Sequence, residues 1–370
     1  MTTLLEQILN RCDDLGASDV HLAWGAQPRY RVQGRLRPDR DSGVLTPEEV
    51  DRLTMELGLS TLPKGCPDGT ERVRITLMKE GAIDGALTAP NGSRFRFNVF
   101  CESGRHAVAL RRLSDGFRTL EELALPPRIS DFLSCRDGLV VVTGPTGSGK
   151  STTLATLINS INRTREGHII TIEDPIEYVH ANDLCFVRQR QVGRDAKSFN
   201  AALVEALRQD PDVILVGEVR DLETIRTALR AAETGHLVFT TLHAGDCAGA
   251  IERLISVFPA DEQPGARRQL ALSLRGIIAQ HLLSDVRGER RYPATEVLVN
   301  TPAVANLIAT GRTAQIYSQI ETGAVYGMRT LEQSLVELVR AGHVGENTAY
   351  AVSTNPQILT QRLRGLSDLR

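Results

Sequence analysis

The stretch Leu139-Val-Val-Val-Thr143 followed by Gly144-Pro-Thr-Gly-Ser-Gly-Lys-Ser151 decides the fold. Its first part is a continuous, largely β-branched run, which reads as a strand buried on both faces. Its second part matches G-x-x-x-x-G-K-[ST], and Leu154, Leu157, Ile158 and Ile161 follow at helical spacing without glycine or proline. Strand, glycine-rich loop and helix together read as a phosphate loop. Gly144, Gly147 and Gly149 let the backbone curl around phosphate oxygens, so that the N–H groups of Thr146, Ser148 and Thr152 and the helix N-terminus are available to an anion. Pro145 fixes one φ angle and gives up one donor. Lys150 is placed to reach the β- and γ-phosphates of a nucleotide, and the Ser151 hydroxyl to coordinate Mg²⁺.

Working outward, Ile129 onward alternates strands with helices, the pattern of a doubly wound α/β domain. Three later strands end in polar residues: His168–Ile172 runs into Glu173-Asp174-Pro175, Asp212–Val216 into Gly217-Glu218, and Leu237–Leu242 into His243. Ligands in such sheets sit beyond the carboxyl ends of the strands, so these polar ends are expected on the phosphate-loop edge. Glu218 has the layout of an acid that holds Mg²⁺, partly through water, and orients the attacking water. An acid at that place could instead cap the next helix, and Asp174-Pro175 is also an ordinary turn starter. His236 and His243 flank a strand and are candidates for polar sensors of the phosphate.

Ahead of this domain, Leu4, Leu5, Ile8, Leu9 and Cys12 predict an amphipathic helix. Asp19–Trp24 and Pro28–Gln33 read as a hairpin, and Thr46-Pro47-Glu48-Glu49 opens a second helix. Lys64–Asp68 reads as a loop, then Arg72–Leu77, Gly85–Thr88, Arg94–Phe100 and Ala107–Arg112 as antiparallel strands, with Asn91-Gly92 as a hairpin turn. Ser114-Asp115-Gly116 and Pro126-Pro127 mark a linker. After Pro302 the pattern is helical, through Leu331, Leu335, Leu338 and Val339.

Composition bounds the function. At 370 residues, 41% hydrophobic and 24% charged, with a net charge of −2, the chain reads as a two- or three-domain globular protein with no basic signature for nucleic acid. No run reaches the length of a membrane span, and the N-terminus lacks a secretory pattern, so a cytoplasmic protein is expected. The six cysteines form no C-x-x-C pair.

Four motifs occur in order: Gly144–Ser151; Thr171-Ile-Glu-Asp-Pro-Ile-Glu177; Arg208-Gln-Asp-Pro-Asp212 with Gly217-Glu-Val-Arg-Asp221; and Ala231-Ala-Glu-Thr-Gly-His236 through Thr241-Leu-His243. They resemble the Walker A, Asp box, Walker B and His box of the type II/IV secretion ATPases, and the likeness is greatest to the PilT/PilU pilus-retraction branch. Ala17-Ser-Asp-Val-His-Leu22 and Gly327-Met-Arg-Thr-Leu331 extend it over most of the chain. The resemblance implies an α/β protein: a small PAS-like α+β domain (1–112), a linker (113–127), a RecA-like P-loop ATPase core (128–300) and a helical C-terminal region (301–370). It further implies a homo-hexameric motor that hydrolyses ATP and turns an inner-membrane platform protein from the cytoplasmic face, drawing pilin out of a fibre, with peripheral membrane association and no nucleic-acid partner. Glu218 then positions water, Glu173 assists, His243 senses the γ-phosphate, and Arg94, Arg96 and Arg111 are candidates for the arginine that reaches it on closure. Those arginines could equally be the exposed face of a strand whose other face carries Phe95 and Phe97. The missing four-cysteine zinc motif favours retraction over assembly or export, the alternative. Ala309, within Asn306-Leu-Ile-Ala-Thr-Gly-Arg312, stands where retraction members carry arginine.

Overall fold

Helix α1 (Leu4–Asp14) buries Leu5, Ile8, Leu9 and Cys12 and is opened by a capping box between Thr3 and Glu6. The structure, a computed structural model, describes residues 2–32, 34–63, 65–113 and 116–365. It divides into two units: the described residues up to Gly116 with Glu173–Val179 and Arg190–Lys197, and Phe117–Ile172, His180–Gln189 and the described residues from Ser198 on.

In the first unit the expected hairpin forms from β1 (Asp19–Ala23) and β2 (Arg29–Val32), with Asp19 opposite Arg31. Gln33, at its expected end, lies outside the described residues. Next come β3 (Arg35–Pro38), α2 (Pro47–Ser60), α3 (Gly69–Glu80), β4 (Ala82–Thr88), β5 (Arg94–Glu102) and β6 (Arg105–Arg112). The strands form one antiparallel sheet in the order β3-β2-β1-β6-β5-β4. Phe95, Phe97 and Val99 of β5 are buried with residues of α1, α2 and α3, while Arg94 and Arg96 lie on the other face.

One expectation is corrected. Arg72–Leu77 is helical, within α3, where the sequence predicts a strand. Val73, Ile75 and Leu77 alternate with polar residues, but only Val73 and Leu77, one helical turn apart, are buried; Ile75 is 41% exposed. The edge strand β3 went unpredicted because all four of its residues are exposed and leave no hydrophobic period to read. Lys64 of the expected loop, and Ser114 and Asp115 of the expected linker, lie outside the described residues.

The second unit, to which Glu173, Arg190 and Gln191 at the ends of two of its strands do not belong, begins with irregular chain and a 3₁₀ segment at Pro127–Ser134. Then follow β7 (Gly138–Thr143), α4 (Lys150–Thr164), β8 (Gly167–Glu173), β9 (Cys185–Gln191), α5 (Phe199–Ala206), β10 (Val213–Val216), α6 (Leu222–Glu233), β11 (Leu237–Leu242), α7 (Cys247–Ser256), α8 (Gln263–Ser273), β12 (Leu274–Ser284) and β13 (Arg291–Val299). The sheet order is β13-β12-β7-β11-β10-β8-β9. Strands β12, β7, β11, β10 and β8 run parallel, and β13 returns antiparallel to β12. Every residue of β7, β10 and β11 is buried, as the apolar runs require of central parallel strands. The chain ends in helices α9 (Pro302–Ala309), α10 (Ile316–Thr322), α11 (Leu331–Arg340), α12 (Glu346–Val352) and α13 (Pro356–Arg364). Leu331 and Leu335 pack with Leu283, Ala294 and Leu359, and Leu338 and Val339 flank that cluster. No helix among the described residues is long and apolar enough to cross a membrane.

Candidate active site

Register puts the key positions side by side. Thr143 of β7 is level with Leu242 of β11, so Gly144 and His243 leave the sheet as neighbours. On the far side of β11, β10 ends at Val216 and delivers Glu218 to the same edge. Gly144, Gly147 and Gly149 take φ of 147°, 80° and 90°, the left-handed region that a side chain disfavours. Gly149 occupies the position before α4 and provides no side-chain cap, so the first N–H groups of α4 remain open to a ligand.

Two features show that the loop fits a phosphate. Lys150, 9% exposed, folds its Nζ back to donate to Gly144 O and Pro145 O, both at 2.9 Å. Burial pushes this ammonium below its ordinary pKa, and the nearby charge of Glu218 offsets part of the shift. Ser148 Oγ is buried with no hydrogen-bond partner. A desolvated cation and an orphaned hydroxyl in a glycine cradle suit an anion with several oxygens. Ser151 is exposed at the mouth. Among the described residues no three His, Cys, Asp or Glu side chains cluster to hold a metal, so Mg²⁺ held by Ser151 and, partly through water, by Glu218 would need phosphate and water to complete its ligands.

Glu218 pairs with Arg220, Oε2 to Nη2, at 2.7 Å. It does not cap α6: Asp221 does, accepting from Thr224 N at 2.8 Å and from Thr224 Oγ1 at 2.7 Å. Glu218 lies near enough to the loop for its charge to act on Lys150. The His243 imidazole is held below its usual pKa by burial first, then by the charges of Lys150 and Arg220. The structure therefore brings Lys150, Glu218, Arg220 and His243 together. His236 it places elsewhere, at the opposite end of β11, where Nδ1 lies 3.0 Å from Ala231 O. Seven residue steps along β11 at about 3.3 Å each separate it from His243 by about 23 Å.

In the first unit, Arg94 donates from Nη2 to Ile176 O at 2.6 Å and from Nη1 to Thr88 Oγ1 at 3.0 Å. Burial lowers its pKa, partly offset by the charge of Glu173, so these two site candidates are neighbours. Arg96 stands opposite Arg111 across β5 and β6. Its Nη1 is 3.8 Å from Glu177 Oε1, while Arg111, 72% exposed, donates from Nε to Asp19 Oδ1 at 2.8 Å. The face alternating with Phe95 and Phe97 is thus an arginine face whose cations are already paired with carboxylates or carbonyls.

Residues 1–362 match the family model described as "Type II/IV secretion system protein". The chain belongs to this family. It is 42% identical to the "Type IV pilus retractation ATPase PilT" of Pseudomonas aeruginosa over 92% of this chain and 96% of that one. It is 38% identical to that organism's "Type IV pilus ATPase PilU" over 98% of this chain and 92% of the relative. A solved structure titled "Crystal Structure of the Pilus Retraction Motor PilT and Bound ADP" superposes with a TM-score of 0.86 at 41% identity, covering 96% of this chain and 99% of that one. The fold class is accordingly α/β, with a small PAS-like α+β N-terminal domain, a RecA-like P-loop ATPase domain and a helical C-terminal region.

The second unit of this secretion-family chain also uses residues that its local motifs do not reveal. Thr143 Oγ1 donates to Ala244 O at 3.0 Å and accepts from Ala244 N at 2.9 Å, tying the phosphate-loop strand to the turn after His243. His281 Nε2 lies 3.0 Å from Gly245 O of the same turn. Gln280, beside it on β12, touches the phosphate loop itself. Its only signal in the sequence is a lone amide inside the apolar run Gly276-Ile-Ile-Ala-Gln-His-Leu-Leu283.

Proposed function

We propose that this chain is the ATP-hydrolysing subunit of a homo-hexameric motor that powers type IV pilus retraction through a platform protein, at the cytoplasmic face of the inner membrane. The observation that carries this reading is the convergence of Lys150, Glu218 and His243 on one sheet edge, in a chain aligned end to end with retraction ATPases. We divide the chain at 1–112, 113–127, 128–300 and 301–370.

Gly144 to Thr152 would cradle the phosphates of ATP, with Lys150 turning from Gly144 O and Pro145 O to the β- and γ-phosphates. Ser151 and, partly through water, Glu218 would hold Mg²⁺, which when bound acts as a Lewis acid on the γ-phosphate. Glu218 orients the attacking water, and a neutral His243 donates or accepts a hydrogen bond beside it. Glu173 assists from the end of β8. Arg94, Arg96 and Arg111 are the candidates for a charge that reaches the γ-phosphate on closure, a contribution of about 10³–10⁵ in rate. His236, remote from the loop in its own chain, has no part in this scheme.

The test is Glu218→Gln as the sole copy in cells. Hydrolysis should fall by about 10²–10⁴ with nucleotide binding kept, and cells should lose twitching while accumulating surface pili. Normal motility in a deletion strain would refute retraction and move the same site to an export apparatus of the family.

A further inference from the structure

Gln280 fills the crook of the phosphate loop from behind. It is 3% exposed, and both ends of its amide are engaged: Nε2 donates to Ser148 O at 2.6 Å, and Oε1 accepts from Thr153 Oγ1 at 2.8 Å. The loop is closely fitted around it. A Cβ on Gly144 would stand 2.2 Å from Gln280 O, and one on Gly149 2.8 Å from Gln280 Nε2. Thr153 lies in the first turn of α4, so a single side chain links the loop to the helix whose N–H groups face the ligand.

The peptide plane supplies the consequence. In a trans peptide the carbonyl and the N–H point in opposite directions. Drawing Ser148 O toward Gln280 therefore turns the Gly149 N–H to the opposite side, away from Gln280. Three glycines give the loop little conformational preference of its own, so an outside anchor must select the curve that an anion meets. We propose that Gln280 is a positioning residue for nucleotide: through Ser148 and Thr153 it holds the phosphate loop in its binding shape. The proposal deepens the reading of this loop as an ATP site and rests on it. Because the loop contacts phosphate alike before and during reaction, its loosening weakens binding uniformly and raises KM while leaving kcat.

The test compares Gln280→Leu, Gln280→Glu, Thr153→Val, Thr153→Ser and the double variant Gln280→Leu with Thr153→Val in the full chain. ADP binding is measured by calorimetry, ATP hydrolysis by KM and kcat, and folding by nucleotide-free melts. Gln280→Leu should weaken ADP about tenfold and raise KM for ATP in step, with kcat within about threefold. Gln280→Glu, which keeps the acceptor and loses the donor, should do the same. Thr153→Ser should match wild type, and Thr153→Val should add nothing to Gln280→Leu, since both break one unit. A merely structural role would lower the melts of the variants without changing the affinity of the folded protein. If Gln280→Leu does not fold, Gln280→Glu and Thr153→Val decide. Folded variants that bind ADP within about twofold of wild type, or that lose kcat in step with kcat/KM, would overturn the proposal and leave the site reading standing. Wild type that binds no ADP would instead refute the site reading, and the proposal with it.

Discussion

Replacing Glu332 with alanine should unfasten the C-terminal helices. This carboxylate is fully buried on α11 and receives four donors: Ser353 Oγ and Thr354 Oγ1 at 3.1 Å, Asn355 N at 2.9 Å and Tyr317 OH at 3.2 Å. It thereby joins α10, α11 and the junction of α12 with α13. The three hydroxyls can turn to other acceptors, so each loses only the net value of a hydrogen bond, about 0.5–1.5 kcal/mol. The Asn355 N–H cannot turn, but it retains a 3.2 Å approach to Ser353 Oγ. Allowing for non-additivity, Glu332→Ala should cost about 2–4 kcal/mol. Glu332→Gln keeps the shape and the Oε1 acceptor and should cost about 1 kcal/mol. Amide hydrogen exchange on α10 to α13 reads the loss locally: protection should fall roughly 30- to 1,000-fold in the alanine variant and about fivefold in the glutamine variant. Protection in Glu332→Ala within about threefold of wild type, or an equal loss in both variants, would refute the claim that this carboxylate fastens the region.

Three further outcomes follow from single contacts. His180 is buried with Nδ1 unpartnered, stacked on Phe117 at 4.5 Å between centroids, and burial pushes its pKa down to about 4. An unfolded histidine binds its proton near pH 6.5, so this group costs nothing above that pH and removes up to about 3 kcal/mol as pH falls to about 4; melts of His180→Phe should depend less on pH over that window. Asp221→Ala should lower stability by about 1 kcal/mol through loss of the α6 cap, with kcat/KM for ATP nearly unchanged; a collapse of activity would contradict the separation of capping from the work of Glu218. Lys150→Met should abolish ATP binding in calorimetry without lowering the nucleotide-free melt, because the ammonium is desolvated and satisfied only by loop carbonyls.

Much of the site was legible because its signals are local. The phosphate loop announces itself by glycines at fixed offsets between a β-branched run and a helical period, and Glu218 and His243 by following apolar strands. Where period misled, burial explains it. Arg72–Leu77 alternates like a strand, yet a helix buries Val73 and Leu77 and leaves Ile75 outside. The local pattern also left open a helical cap role for Glu218, and the bond from Thr224 N to Asp221 removes it. His236 and His243 look alike as strand-flanking histidines, but one strand's length puts them at opposite sheet edges.

By itself the sequence determined the alternation of strand and helix, the phosphate loop with its acid and histidine, and the helical C-terminal region, since each rests on the side-chain period or on backbone freedom within a few residues. The tertiary structure alone decided which distant groups complete the site. Ser148 and Gln280 are 132 positions apart, and Thr143 and Ala244 are 101 apart. Parallel strand order makes them neighbours, and no local pattern encodes a hydrogen bond whose partners meet only after the sheet has formed.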